Sequence, residues 1–227
     1  MQYEIRQRPN FSIARITFDA PGEELVVEAA AMVAKDSAVT MKTSMRGGLL
    51  GAAKRKMLGG ESLFQNTFTA TRAGETIWVA PAAEGDMAAF DMDGQQPLYL
   101  SSGNYIASGP GITLDSQFQG LKGFFSGTSF FMLEAKGQGP LLIGSYGGIH
   151  PVQVGPAGYI VDNYHIVAFT GGLQYNVRRV GGLKSIFGGS EGLVCHFHGQ
   201  GTVWISTRSA ASLARFLHPY RPVESKS

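Results

Sequence analysis

Three potential metal ligands lie close together near the end of the chain: Cys195, His196 and His198. On a strand, successive side chains point to opposite faces, so His196 and His198 share one face and Cys195 points to the other. A protein zinc site usually has three or four protein ligands, and this segment brings at most two imidazoles together. The spacing favours polar, outward strand positions. A metal site using His196 and His198 would have to be shared between subunits.

His165 is a second candidate for chemistry, because Asp162 and Asn163 lie just before it in the sequence. A histidine beside a carboxylate is a typical pair for general acid–base catalysis. A segment rich in Asp and Asn is also ordinary turn chemistry, since both side chains hydrogen-bond to nearby backbone. The composition favours the turn.

Residues 188–192 match the G-x-S-x-G pattern of a nucleophile elbow, with Ser190 at its centre. An elbow needs a strand before it, a helix after it, and acid and histidine partners downstream in that order. Here a strand pattern follows Ser190, and no aspartate occurs after it. We interpret the segment as a structural turn and assign no catalytic residue and no cofactor.

Basic residues cluster in three glycine-containing loops. The candidate binding residues are Lys54, Arg55, Lys56, Lys122, Arg178, Arg179 and Lys184. The first loop is not a phosphate-binding P-loop, because no Gly-Lys-Ser/Thr occurs at the required spacing. If the loops cluster on one side, they form a basic and apolar rim suited to phosphate, anionic lipid or a partner protein. The alternative is that their apolar part packs between subunits while the charges stay solvated.

The elements that would position these residues follow an internal repeat. Residues 27–43, 100–116 and 161–177 align with one another without gaps, and Ala34, Ala107 and Ala168 coincide. In each copy, apolar residues then alternate with polar ones, which is the period of a half-buried strand. The three segments therefore predict copies of one β-unit.

The second half of each unit repeats as well. The strand patterns at residues 77–79, 141–143 and 203–205 align, which places Trp78 and Trp204 at equivalent positions. The approximate repeats are residues 20–92, 93–154 and 155–207, within a single all-β domain of residues 1–227. We expect a sandwich or barrel in which three units share one interior, followed at 208–227 by a short C-terminal helix, docked on the β body, and a tail.

Composition excludes several classes of protein. Hydrophobic residues make up 44% of the 227 residues and charged residues only 16%, so the chain has the composition of a folded protein. No apolar run reaches the roughly 18 residues that a membrane-spanning helix needs. The net charge of +2 does not point to an obligate nucleic-acid partner. The single cysteine and the lack of a recognisable secretion signal favour the cytoplasm.

Several motifs resemble a known family. The residues that carry the resemblance are 59–69, 180–184, 192–197 and 201–207. They are similar to the altered-inheritance-of-mitochondria, or mitochondrial biogenesis, type of protein, which is related in fold to the Trp RNA-binding attenuation protein (TRAP-like). The resemblance implies a double-stranded β-helix-like sandwich with three internal repeats that assembles as a homotrimer. It implies no established activity for bacterial members and no catalytic or ligand residues.

Three functional hypotheses remain open. The first is a non-enzymatic, homotrimeric binding or scaffold protein, since oligomerisation would cover open sheet edges and the basic loops would form its contact surface. The second is binding of nucleic acid or anionic lipid through the seven basic residues, which predicts a steep loss of affinity with salt. The third is a metal-dependent enzyme at His165 or at His196 and His198.

Overall fold

The computed structural model describes residues 1–45, 64–101, 103–117, 132–179 and 193–221. This part of the chain is almost entirely β-structure, with one short α-helix near its C-terminal end, which confirms the predicted all-β class. The alternation of buried and exposed positions along β2 (Ile13–Thr17) and β3 (Glu24–Glu28) is typical of strands that cover a core on one face.

Pairing divides the described strands after β1 (Gln2–Arg6) into three sets. Set 1 consists of β2, β3, β4 (Met32–Lys35), β5 (Thr40–Met45), β6 (Phe64–Thr69) and β7 (Thr76–Val79). Set 2 consists of β8 (Met87–Asp93), β9 (Leu98–Ser101), β10 (Tyr105–Ser108), β11 (Ile112–Gln117) and β12 (Met132–Gly144). Set 3 consists of β13 (Ile149–Val154), β14 (Tyr159–Asp162), β15 (Ile166–Thr170), β16 (Leu173–Arg179), β17 (Leu193–Gly199) and β18 (Gly201–Ser206).

All three sets use the same antiparallel pairing scheme. The first and third strands of a set both pair with its last strand, as β2 and β4 do with β7. The second and fourth strands both pair with the fifth, as β3 and β5 do with β6. In set 2 the fifth and last strands are continuous in β12, whose N-terminal half pairs with β9 and β11 and whose C-terminal half pairs with β8 and β10.

An irregularity in register occurs at the same place in each set. Ala34 lies opposite Trp78, Ala107 opposite Leu142, and Ala168 opposite Trp204. In every case the pairing shifts just before the alanine, as in a β-bulge. A bulge bends its strand and increases the local twist. The third strand of each set therefore turns at the residues that align in the sequence.

The sets begin earlier in the chain than the expected repeats 20–92, 93–154 and 155–207. Those boundaries place β8 and β13 at the end of a repeat. In the structure β8 pairs with β12 and β13 pairs with β18, so each belongs to the set that follows it. The difference arises because an antiparallel partner lies far along the chain, where local sequence gives no sign of it.

Adjacent sets are joined by one strand pair each. β3 of set 1 pairs with β10 of set 2, and β9 of set 2 pairs with β15 of set 3. Each junction thus joins the second strand of one set to the third strand of the next. The junctions merge most strands into one eleven-stranded sheet, beside a four-stranded sheet ending in β4 and a three-stranded sheet ending in β14.

The buried apolar residues form three neighbouring clusters, whereas one shared interior was expected. The first cluster contains set 1 residues together with Ile106 and Ala107 from set 2. The second contains set 2 residues together with Val167 and Ala168 from set 3. The third belongs mainly to set 3 and includes Met132 from β12. Each set therefore completes its core with residues of a neighbouring set.

The C-terminal helix α1 (Ala210–Leu217) forms where the sequence predicts it. Ser209 caps its N-terminus by accepting a hydrogen bond from the Ser212 backbone N–H at 3.3 Å. The expected docking on the β body is wrong, because Leu213, Phe216 and Leu217 are all exposed. The apolar stripe of α1 is therefore not part of the core in the described chain.

Candidate functional site

The basic residues expected to bind anions lie mostly outside the described residues. Lys54, Arg55, Lys56, Lys122 and Lys184 are outside them, as is Ser190 of the G-x-S-x-G pattern. Arg178 is described, and it is exposed near the end of β16, opposite Val194 of β17. Arg179 is the last residue of β16. The structure therefore places one of the seven side chains at a solvent-facing position.

His196 and His198 occupy alternate positions on β17, so they share a face as predicted. His196 lies between Ile160 of β14 and Asn176 of β16, and His198 lies opposite Gln174. Among the described residues, no group of three or more His, Cys, Asp or Glu side chains could hold a metal ion. Within that part of the chain, His196 has an amide and an apolar side chain as its cross-strand neighbours.

His165 lies in a short 3₁₀ turn, Asn163–His165, between β14 and β15. Asp162 caps this turn by accepting a hydrogen bond from the Tyr164 backbone N–H at 2.8 Å. The ring of His165 is held by a contact of 2.8 Å between Nδ1 and the carbonyl oxygen of Ser206. Asp162 therefore stabilises the turn itself, and His165 holds the turn against β18.

The strand face that carries the two histidines in set 3 is covered in set 2. Glu134, which aligns with His196, is buried. Its carboxylate accepts a hydrogen bond from the Tyr99 hydroxyl at 2.9 Å and pairs with Lys136 Nζ at 2.9 Å. Tyr99 in turn stacks on Phe169, with ring centroids 5.0 Å apart. Tyr99 therefore covers Glu134 and links this face of β12 to Phe169 of set 3, which the alternation of residues alone could not reveal.

Cys195 points into the third core cluster and is fully buried. Burial raises the pKa of its thiol to about 12, with a smaller contribution from the negative charge of Asp162. A thiol is nucleophilic only as the thiolate. In this structure Cys195 therefore behaves as a small apolar core residue rather than as a nucleophile or a metal ligand.

Asp86 is a buried carboxylate that sequence reasoning did not identify. It receives two hydrogen bonds from the guanidinium of Arg8, at 2.8 and 3.0 Å, and one from the Ser12 hydroxyl at 3.1 Å. The backbone N–H groups of Met87 and Ile149 also donate to it, at 2.9 and 3.4 Å. Burial alone would raise the pKa of Asp86, but these hydrogen bonds and the charge of Arg8 outweigh burial and lower it.

The partners of Asp86 come from all three sets. Ser12 precedes β2 of set 1, Met87 begins β8 of set 2, and Ile149 begins β13 of set 3. The backbone joins the same region, because Ser12 N–H donates to Gly85 and Asp86 N–H donates to Gly147. Asp86 therefore has a structural role: its ion pair and hydrogen bonds connect the regions where the first strands of the three sets begin.

The most prominent surface features are two outer strand edges. We call the side of β4 (Met32–Lys35) that faces away from β7 the β4 edge, and the side of β14 (Tyr159–Asp162) that faces away from β17 the β14 edge. Each strand is the last of its sheet, so no described strand pairs with either edge. Met32 and Val33 on β4 and Tyr159 and Ile160 on β14 are exposed. Residue type alone could not identify them, because the equivalent apolar residues elsewhere in the chain are mostly buried.

Within the described residues, no helix is long and apolar enough to cross a membrane. α1, with eight residues, is much shorter than the roughly 20 residues that such a helix requires.

Comparisons with known proteins extend over nearly the whole chain. An uncharacterised protein of Streptococcus pyogenes serotype M6 is 26% identical over 233 residues, covering 99% of this chain and 93% of its own length. The crystal structure of a protein from Streptococcus pyogenes superimposes with a TM-score of 0.79 at 26% identity, covering 97% of this chain and 99% of that one. The family model described as mitochondrial biogenesis AIM24 matches residues 3–208. The chain therefore belongs to the AIM24 family.

Proposed function

We propose that this protein is a non-enzymatic, oligomeric binding or scaffold protein that works in the cytoplasm. The observation that carries the proposal is the exposure of apolar side chains on two strands at the ends of sheets, Met32 and Val33 on β4 and Tyr159 and Ile160 on β14. These residues combine a hydrophobic surface with a strand edge that no described strand pairs with, which is the combination that strand addition uses to join polypeptides.

Proteins usually protect exposed edges with charges, prolines or bulges, because an apolar edge promotes association. β4 has a bulge at Ala34, but β10 and β15 have the same bulge and still pair with a strand of the preceding set. On β14 (Tyr159–Asp162), Tyr159 and Ile160 are exposed, and the strand contains no lysine, arginine or proline. On β4, Lys35 directs its ammonium group to the carbonyl oxygen of Val39 at 2.7 Å. The ammonium group of Lys35 is therefore held against its own backbone and does not project from the β4 edge. This arrangement supports a surface for protein association.

The test is the oligomeric state of the purified chain, measured by size-exclusion chromatography with light scattering over a wide concentration range. We expect a mass of three chains, because the family resemblance implies a trimer and covering the edges requires association. A chain that remains monomeric at every concentration, with its edges still accessible to solvent, would contradict the proposal.

A second candidate function, binding of an anionic partner, is favoured by the exposed position of Arg178 near the end of β16. The chain that connects β16 to β17 carries Lys184, and the corresponding connections in the other sets carry Lys54, Arg55, Lys56 and Lys122. Phosphate-bearing ligands bound by such residues lose affinity steeply as salt rises.

This candidate is tested with two probes, single-stranded RNA and vesicles containing phosphatidylserine, each at low and at physiological salt. Binding that weakens with salt and is lost when Lys54, Arg55 and Lys56 are all changed to alanine supports it. A protein that binds neither probe at low salt contradicts it.

A further inference from the structure

The two outer edges are the unmatched halves of a contact that the chain already makes twice. At each internal junction the second strand of one set pairs with the third strand of the next, β3 with β10 and β9 with β15. In set 1 the third strand, β4, has no described strand on that side. In set 3 the second strand, β14, also lacks one. For this type of junction, the row of three sets therefore ends in a third strand, β4, and a second strand, β14, that no described strand pairs with on that side.

Burial of the third strands shows what the missing neighbour does. Ile106 on β10 and Val167 on β15 are 4% and 1% exposed, whereas Val33 at the same position on β4 is 56% exposed. Ala107 and Ala168 are fully buried, whereas the equivalent Ala34 is exposed. The local sequence and the bulge are alike in the three strands. The third strand of a set is therefore buried when the second strand of a neighbouring set pairs with it, and exposed when no described strand does.

The second strands give the same contrast. Leu25 on β3 and Leu98 on β9 are 0% and 4% exposed, whereas Tyr159 at the equivalent position on β14 is 41% exposed. The next residue, Ile160, is 57% exposed, although Val26 and Tyr99 at its position are half-buried. Both ends of the array thus carry apolar residues that are buried where a neighbouring set is present.

Resting on the proposed oligomeric function, we infer that a second copy of this chain covers the β4 edge with its own β14 edge, in antiparallel pairing. The internal junctions give the register. Ala107 lies opposite Val27, and Ala168 lies opposite Leu100. Ala34 aligns with the two alanines, and Val161 aligns with Val27 and Leu100. The contact between chains therefore places Ala34 opposite Val161 and Lys35 opposite Ile160.

A second copy fits these edges because it carries the matching strand in the matching register. β14 has the apolar residues that β3 and β9 use at their junctions, and β4 has the bulge and alanine that β10 and β15 use. The contact joins unlike surfaces, so it is head-to-tail. Such a contact leaves one free edge at each end unless the chains close into a ring, and closure with three chains gives the proposed trimer.

Charge placed on each edge provides the first test. Val33→Lys and Ile160→Lys alter exposed side chains, so both variants are expected to fold with unchanged circular dichroism. Each is expected to lose the trimer. Met41→Lys changes another exposed apolar strand residue away from both edges, and it is expected to keep the trimer. Retention of the wild-type mass by both edge variants would overturn the inference.

Mixing the two variants tests the head-to-tail geometry. The Val33→Lys chain keeps an intact β14 edge, and the Ile160→Lys chain keeps an intact β4 edge. The mixture is therefore expected to form a one-to-one dimer that neither variant forms alone. A dimer formed by either variant alone, or no dimer in the mixture, contradicts pairing between unlike edges.

Cysteine pairing tests the register and the identity of the partner. Residues directly opposite in antiparallel strands have Cα atoms about 4.5–5.5 Å apart, which a disulfide can bridge. A Lys35→Cys chain mixed with an Ile160→Cys chain is expected to give a mixed disulfide dimer on mild oxidation, whereas each variant alone gives none. A chain carrying both Lys35→Cys and Ile160→Cys tests whether the partner is a second copy. If its disulfide forms only within one chain, the two edges of that chain pair with each other and the inference fails.

These outcomes separate the two proposals. A monomeric wild-type chain contradicts the oligomeric function and the inference together. A wild-type oligomer that survives both edge substitutions and forms no mixed disulfide contradicts only the inference, and it would direct attention to another surface.

Discussion

Arg8 and Asp86 form a two-pronged ion pair, with Nε of Arg8 2.8 Å from Oδ1 of Asp86 and Nη2 of Arg8 3.0 Å from Oδ2. The two residues are 78 positions apart in the sequence. The carboxylate is buried, whereas the arginine side chain is half exposed. Because Asp86 also accepts hydrogen bonds from Ser12 and Ile149, this pair helps to fasten the starts of the three strand sets to one another.

Removing the carboxylate should destabilise the fold strongly. We expect Asp86→Ala to lower the free energy of unfolding by about 2–4 kcal/mol, since it leaves the buried hydroxyl and backbone N–H groups without their acceptor. The matched control is Asp91→Ala, which removes an exposed carboxylate that accepts a hydrogen bond from Tyr3 and should cost about 0.5 kcal/mol or less. Urea unfolding of both variants measures the difference, and equal midpoints would contradict this role for Asp86.

The same carboxylate should make stability depend on pH in the acid range. Hydrogen bonds and the charge of Arg8 outweigh burial and hold the pKa of Asp86 below its usual value. The folded state therefore binds this proton less readily than the unfolded state does. Its contribution to stability is present above the unfolded pKa of about 4 and is lost as pH falls through the lower folded pKa.

The comparison of wild type with Asp86→Asn isolates this effect, because all other carboxylates are common to both proteins. The difference in unfolding free energy should stay constant between pH 5 and pH 8 and shrink below about pH 4. A difference that grows as the solution becomes more acidic would have the opposite sign and would show that the pKa of Asp86 is raised.

Cys195 should be chemically inert while the protein is folded. Burial raises the pKa of its thiol to about 12, so almost no thiolate is present at neutral pH. We expect alkylation by iodoacetamide at pH 8 to require unfolding and to proceed readily in urea. A Met41→Cys variant supplies the accessible control, because Met41 is exposed and lies away from both edges, and its added thiol should react in the folded state. Rapid modification of Cys195 in the native wild type would show that this core opens easily.

Two phenylalanines should respond very differently to truncation. Phe169 is buried and packs against the rings of Tyr99, Tyr175 and Phe197, with centroids 5.0–5.1 Å apart. Phe169→Ala is therefore expected to cost about 3–5 kcal/mol. Phe216 lies exposed on α1, and Phe216→Ala should change stability by about 0.5 kcal/mol or less. Thermal or urea unfolding measures both, and a large loss from Phe216→Ala would mean that α1 packs against the body.

The sequence pattern predicts much of this fold, because strands and helices leave a periodic pattern within a few residues. Alternating residues indicate the strands, and the alignment of Ala34, Ala107 and Ala168 falls where the third strands shift register. α1 follows from its apolar spacing and the capping Ser209. The all-β class and the family are confirmed. The relation to the Trp RNA-binding attenuation protein, the trimer and the binding role of the basic residues stay predictions.

Other features depend on contacts that the sequence pattern does not contain. Nothing near Asp86 in the sequence indicates that Arg8 and Ile149 will reach it. Glu134 alternates like a surface residue, but its carboxylate is buried, with Tyr99 and Lys136 as partners. The exposure of Val33 and Ile160 is equally invisible, because their burial depends on a neighbour and not on residue type. The candidate site was missed for this reason.

β12 runs for thirteen residues and supplies both the fifth and the last strand of set 2. Gly137, the last residue of its N-terminal half, has a φ of +115°, and a Cβ atom there would collide with the carbonyl oxygen of Gly111. The two halves of β12 pair with four strands, and set 2 has a neighbouring set on either side. Local unfolding of set 2 would therefore break more strand pairs than local unfolding of set 1 or set 3. Amide hydrogens of β12 should exchange with deuterium most slowly. Local unfolding should begin in sets 1 and 3, which carry the two edges proposed to join subunits.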